Sequence, residues 1–175
     1  MDADERGVSL PKILAQLPYL NAVVKETLRL YTPLPGFEPR MSPTDTVIDG
    51  HHIPANTVVG MSPYCLHRDP LVFPDPLLFI PERWLTEEGE LVSEADPKNR
   101  QFWAFSSGAR MCIGVHLANA EMLTLTAAIF RKFRTALRDP GATPGITSRF
   151  EFFHDETMTN VLEHECWVCF DKAIT

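Results

Sequence analysis

Phe105-Ser106-Ser107-Gly108-Ala109-Arg110-Met111-Cys112-Ile113-Gly114 is the stretch on which the reading of this 175-residue chain turns. It sets one cysteine between two glycines, with an arginine two residues ahead and an aromatic seven ahead. The apolar run that follows, residues 113 to about 133, predicts a helix. Cys112 is therefore expected in a tight loop at a helix N-terminus, where free backbone N–H groups and the helix dipole favour an anion. A cysteine in such a place acts as a thiolate, which is a nucleophile or a metal ligand. Gly108 and Gly114 give the backbone freedom to turn and to be approached closely. Arg110 adds a fixed positive charge suited to a carboxylate partner.

Taken alone, a cysteine ahead of an apolar helix reads as a small, buried, inert residue. The ten-residue pattern reads otherwise. Phe-x-x-Gly-x-Arg-x-Cys-x-Gly resembles the haem-binding signature of the cytochrome P450 family. The resemblance implies that the Cys112 thiolate is the axial ligand of haem iron, its electron donation favouring O–O cleavage. It implies that Phe105 packs on the ligand loop and that Arg110 pairs with a haem propionate.

Two further stretches carry the resemblance. Residues 11–31 have a helical pattern with a break at Pro18, and Leu20, Val23, Val24, Thr27, Leu28 and Tyr31 fall on one stripe. Glu26 and Arg29 lie i,i+3 on the opposite side. Periodicity alone makes them a solvated ion pair of little energetic weight. The resemblance reverses this, because Glu26-Thr27-Leu28-Arg29 resembles the family's Glu-x-x-Arg helix. Further on, Pro81-Glu82-Arg83-Trp84 matches the family's Pro-Glu-Arg-aromatic motif, although alone it reads as an ordinary surface turn. The resemblance then implies a buried structural triad of Glu26, Arg29 and Arg83. Two cations around one carboxylate require bidentate, well-satisfied hydrogen bonds, since burying charge is costly.

The segments between are loop-rich, in keeping with the chain's 15 prolines. Pro33, Pro35 and Pro39 make the chain extended up to Arg40, which the resemblance offers as a second propionate partner and the residues alone as an exposed arginine. Residues 46–60 read as short strands, with turns at Asp49-Gly50 and at residues 54–57. His51 and His52 point to opposite faces of a strand and do not share a metal. His67, in His67-Arg68-Asp69-Pro70, is open between a place near the haem edge and a helix-capping or loop role. Residues 85–101 read as a charged loop. The helix after Cys112 is apolar on every side, the mark of a buried helix. It ends in Arg131, Lys132 and Arg134, cations that suit the helix dipole, with a stop at Asp139-Pro140-Gly141. Residues 150–170 read as strands.

Composition narrows the classes. A net charge of −7 argues against nucleic acid as a general partner. No stretch is long and apolar enough to predict a membrane span, and the acidic start does not resemble a secretory signal. Cys65, Cys112, Cys166 and Cys169 do not read as a disulfide framework, which predicts a reducing compartment.

The expected fold is mainly α with small β-sheets (α+β). Residues 1–10 are expected to be disordered, and residues 11–175 to form a partial cytochrome P450 domain, the haem-ligand half. Nothing here resembles the long central helix that the family uses to activate oxygen. The resemblance implies a haem-thiolate monooxygenase, or part of one, inserting one oxygen atom from O2 into a small organic substrate. Its electrons would come from an NADPH-dependent reductase. The style resembles microsomal members from fungal secondary metabolism, which implies the endoplasmic reticulum membrane for a full-length form and a soluble, cytosolic place for this portion. Two alternatives from other classes stay open. One is a non-catalytic remnant. The other is a small zinc module on His164, Cys166 and Cys169, weak for want of a second ligand pair.

Overall fold

The computed structural model of the chain describes residues 16–34, 36–137 and 168–172. Residues 1–10, the start of the first helical pattern at residues 11–15, the stop at Asp139-Pro140-Gly141, the sequence around His154, and His164 and Cys166 lie outside the described residues. Helices and three two-stranded antiparallel sheets give the α+β mixture expected from the sequence.

Helix α1, Pro18–Leu30, opens on its proline. Gln16 is helical and Leu17 is not, so the helical pattern breaks just ahead of Pro18, as expected, and resumes on the proline, because the first helical position needs no N–H donor. Val24 and Leu28 of the expected stripe are buried, but Thr27 and Tyr31 are exposed. The buried side instead carries Asn21, Ala22, Glu26 and Arg29. The last turn of α1 has carbonyls with no helical donor. Distant side chains satisfy two of them: His67 Nδ1 lies 3.1 Å from the Arg29 oxygen, and Arg68 Nη2 donates to the Leu30 oxygen at 2.7 Å.

Strand β1, Glu38–Met41, pairs antiparallel with β4, Val58–Met61, placing Arg40 opposite Val59. Between them β2, Thr46–Ile48, and β3, His51–Ile53, form a hairpin. Asp49 and Gly50 turn it with φ of +48° and +77°, the left-handed pair that a tight two-residue turn requires. Thr57 N–H closes the second expected turn onto the Pro54 oxygen at 3.2 Å. Helix α2, Pro63–Leu66, follows, and then a 3-10 turn at Pro81–Trp84. Residues 85–101 are more ordered than their charge suggests. Leu85 bridges Leu91, and α3, Pro97–Gln101, starts at Asp96, whose side chain accepts from Lys98 N–H at 2.8 Å.

Helix α4, Val115–Lys132, is continuous into β5, Phe133–Leu137, which pairs antiparallel with β6, Val168–Lys172. The expectation of a buried helix needs correction. Among its residues only Leu123 and Ala127 are buried, while Leu117, Leu125 and Phe130 are exposed.

The described residues group into two compact units. One draws on Met1–Lys25, Pro81–Leu91 and Cys112–Thr175, the other on Glu26–Ile80 and Val92–Met111. Within the first, Tyr19 donates to Glu82 at 3.0 Å, and the Lys25 ammonium lies 5.5 Å from the centre of the buried Trp84 ring. The second holds the two hairpin sheets, α2, α3 and the second half of α1.

Gly60 in β4 faces a crowded spot. A Cβ there would meet the Glu38 carbonyl oxygen and, at 2.7 Å, the Phe37 ring. Backbone cannot move aside as a flexible side chain does. Gly60→Ala is therefore expected to lower stability by about 1–3 kcal/mol, read as a fall in the urea midpoint at unchanged slope.

Candidate functional site

The second unit is built around Arg29. Its guanidinium carries five N–H groups, and all five have acceptors. Nε donates to Glu26 Oε2 at 2.9 Å and Nη2 to Glu26 Oε1 at 2.8 Å, a bidentate pair. Nη2 also donates to the Leu78 oxygen at 3.1 Å, and Nη1 to the oxygens of His67 and Pro76, each at 2.7 Å. Glu26 Oε1 accepts in addition from Ile80 N–H at 2.9 Å. Both side chains are fully buried. The Phe73 ring lies 5.3 Å from the guanidinium carbon. One charged pair thus ties together carbonyls and an amide from the irregular, proline-rich chain between residues 67 and 80, whose own backbone bonds are local turns. Arg83 lies in the other unit, half-buried on the turn Pro81–Trp84.

His67 closes the next layer. It is fully buried at the end of α2. Its Nε2 accepts from Trp103 N–H at 2.7 Å, and Phe102 stacks on the ring with centres 5.5 Å apart. A nitrogen that accepts from an N–H carries no proton. Nδ1 is then the donor to the Arg29 oxygen, and the ring is neutral. Burial pushes His67 down from 6.5 to about 4, and the positive charges of Arg29 and Arg68 work in the same direction. Both ring nitrogens are thus engaged within the protein, one with α1 and one with the chain at Trp103.

From Trp103 the chain runs into the cysteine loop. Trp103 Nε1 donates to Ser107 Oγ at 3.0 Å, and Ser106 N–H closes a turn onto the Trp103 oxygen at 3.1 Å. Arg40 reaches from β1 to Ser106 Oγ at 3.3 Å. Ser106 and Gly108 have φ of +59° and +71°. The second is where the sequence asks for a glycine; the first is a non-glycine residue in a sparsely populated region. A 3-10 turn, Gly108–Arg110, follows, with Phe105 half-buried ahead of it and Arg110 exposed.

In the first unit, Cys112 is an exposed free thiol two residues before Gly114, the N-cap of α4. This is the helix-mouth setting read from the sequence. Gly114 itself, at φ −86°, needs no left-handed freedom, and a Cβ on it would make only an ordinary 3.8 Å contact with Cys112 Sγ. His51 and His52 are exposed, and His52 pairs with Asp45 at 3.1 Å. Cys169 lies in β6 opposite Ala136. Among the described residues no three histidine, cysteine or acidic side chains are grouped as a metal site.

Sequence reading missed Trp103, Ser106, Ser107 and Arg68. Their signal was absent because they work through hydrogen bonds to residues 3 to 66 positions away, apart from any motif. Asp96 was legible, since Asp-Pro ahead of a short polar run is a helix start.

Comparison with known proteins sets this geometry in a family. A family model described as "Cytochrome P450" matches residues 7–157. "Cytochrome P450 monooxygenase penB" of Penicillium thymicola is 44% identical over 129 residues, 73% of this chain and 28% of the relative. "Cytochrome P450 monooxygenase asqL" of Emericella nidulans is 40% identical over 121 residues, 69% of this chain and 24% of the relative. "Cytochrome P450 11B2, mitochondrial" of Mesocricetus auratus is 38% identical over 128 residues, covering 73% and 24%. The chain spans about a quarter of the length of the curated relatives it matches. Among the described residues no helix is long and apolar enough to cross a membrane.

The neutral His67 makes stability depend on pH. Between its ordinary value of 6.5 and its folded value of about 4 the unfolded chain binds the proton and the folded chain does not. The contribution is therefore complete above the ordinary value and is lost as pH falls through that window. About 2 kcal/mol is expected to go between about pH 7 and about pH 5. Urea unfolding at the two pH values measures it, and His67→Phe is expected to flatten the difference. Equal pH dependence in both proteins would contradict the assignment.

Proposed function

Because the chain belongs to the cytochrome P450 family, we propose that residues 11–175 form the haem-ligand portion of a haem-thiolate monooxygenase, with Cys112 as the sulfur ligand of the iron. The observation that supports this most is the setting of Cys112: a free, exposed thiol at the mouth of an 18-residue helix. The donor set fits a porphyrin. A bare metal ion needs three or four protein ligands, and among the described residues no such group exists. A single thiolate suits a metal that brings its remaining ligands with it.

When bound, haem supplies activation of O2 and transfer of one oxygen atom into an organic substrate. The chain's own residues bind and orient it. Cys112 stands at the helix mouth, two residues before the N-cap of α4. Arg110 on the 3-10 turn and Arg40 on β1 are the proposed cations for the propionates, and Phe105 and Gly108 shape the loop around the ligand. Glu26 and Arg29 hold the scaffold, with Arg83 as the proposed third member of their cluster. Glu26 and Arg29 are buried and do no chemistry. A small organic substrate and an NADPH-dependent reductase complete the proposed reaction. A role in fungal secondary metabolism is proposed from the style of the motifs, and two of the monooxygenase relatives are fungal.

One observation favours a second reading, in which the chain takes up haem without turnover. Leu117, Leu125 and Phe130 of α4 are each exposed, at about 25 cal/mol per Å² of apolar area left in water. Product formation by the purified chain with a supplied reductase separates the two.

Ligation has its own test. Haem-loaded, reduced and CO-treated protein is expected to give the red-shifted Soret band of a thiolate ligand. Cys112→Ser is expected to lose that band and Cys65→Ser to keep it. An unchanged band in Cys112→Ser would overturn the proposal.

A further inference from the structure

Three contacts link the Glu26–Arg29 pair to the loop that leads into Cys112, and the motifs account for none of them. His67 is locked to Arg29 in both directions. Its ring donates to the Arg29 oxygen, and its own carbonyl accepts from Arg29 Nη1. Its second ring nitrogen holds the backbone of Trp103, 36 residues on. The Trp103 indole then holds Ser107, one residue before the left-handed Gly108. From the other side Arg40 holds Ser106, which is itself in a left-handed conformation. A loop with two residues at positive φ needs outside contacts to keep that shape.

We propose that His67 and Trp103 are positioning residues: through Arg29–His67–Trp103–Ser107 they fix the shape of residues 105–111, the loop that precedes Cys112 in the chain. This rests on Cys112 being the functional residue of the loop, but the relay itself is a property of the protein without cofactor. Neither residue touches the iron ligand. Trp103 contributes through its indole N–H, which phenylalanine lacks, and His67 through a neutral ring that donates on one side and accepts on the other. Glutamine at position 67 keeps an acceptor for Trp103 N–H; phenylalanine keeps the stack on Phe102 and loses both bonds.

Peptide-level hydrogen exchange on the haem-free chain tests the relay. Losing one hydrogen bond is expected to raise amide exchange in residues 105–112 about fivefold in Trp103→Phe, while α1 and the β2–β3 hairpin stay at the native rate. His67→Phe is expected to raise the same peptide, and His67→Gln to restore part of the protection. That partial rescue is the readout a general loss of packing would not produce. Native exchange of residues 105–112 in Trp103→Phe would overturn the proposal, as would a rise spread evenly over the whole chain. In haem-loaded protein the same variants are expected to lower the fraction of bound haem that shows the thiolate band, at unchanged total haem. A raised loop exchange in variants of a protein that shows no thiolate band at all would support the relay and contradict the ligation proposal, so the two fail separately.

Discussion

A carboxylate and a guanidinium sealed from water at Glu26 and Arg29 hold the second unit together. Burying two charges costs several kcal/mol each, and their mutual attraction offsets this only when every remaining donor and acceptor is satisfied. Here that condition is met by backbone. Three of the five guanidinium N–H groups go to carbonyls of residues 67, 76 and 78, and the carboxylate takes the amide of residue 80. These segments are rich in proline and have almost no regular secondary structure to supply their own partners. The ion pair does the work that a sheet would do elsewhere. It converts a stretch with many orphan polar groups into an ordered one.

The same logic extends outward. The end of α1 is capped not by its own sequence but by the dipeptide His67-Arg68, 38 residues on. His67 is neutral because its surroundings are already positive and dry, and neutrality lets it donate to one segment while accepting from another. The loop ahead of Cys112 then inherits its shape from side chains rather than from a hydrogen-bonded ladder. A sulfur proposed as an iron ligand in an exposed, irregular stretch needs such support, since loops position groups less well than helices or strands do.

Legibility followed the range of the interaction. Local rules were readable. Asp49-Gly50 announced its hairpin, the apolar run announced α4, and the glycine at position 108 marked a left-handed turn. Burial was not readable from periodicity, which would leave Glu26 and Arg29 in solvent; only the family motif pointed the other way. The exposed apolar residues of α4 show the converse. Leu117, Leu125 and Phe130 read as core by composition, and composition does not say what a residue packs against. His67, Trp103 and Ser107 were unreadable as a set because no spacing rule connects them. The break at Pro18 was readable because a proline ends one helical stretch and can begin the next.

The central claim is that Glu26 and Arg29 act as one unit within this portion of the fold. A double-mutant cycle with Glu26→Gln and Arg29→Lys, read by urea unfolding, tests it most directly. A coupling of about 2 kcal/mol or more is expected, the double variant losing little beyond either single one. Losses that add to within about 0.5 kcal/mol would contradict it, and would make the pair two separate residues that happen to touch.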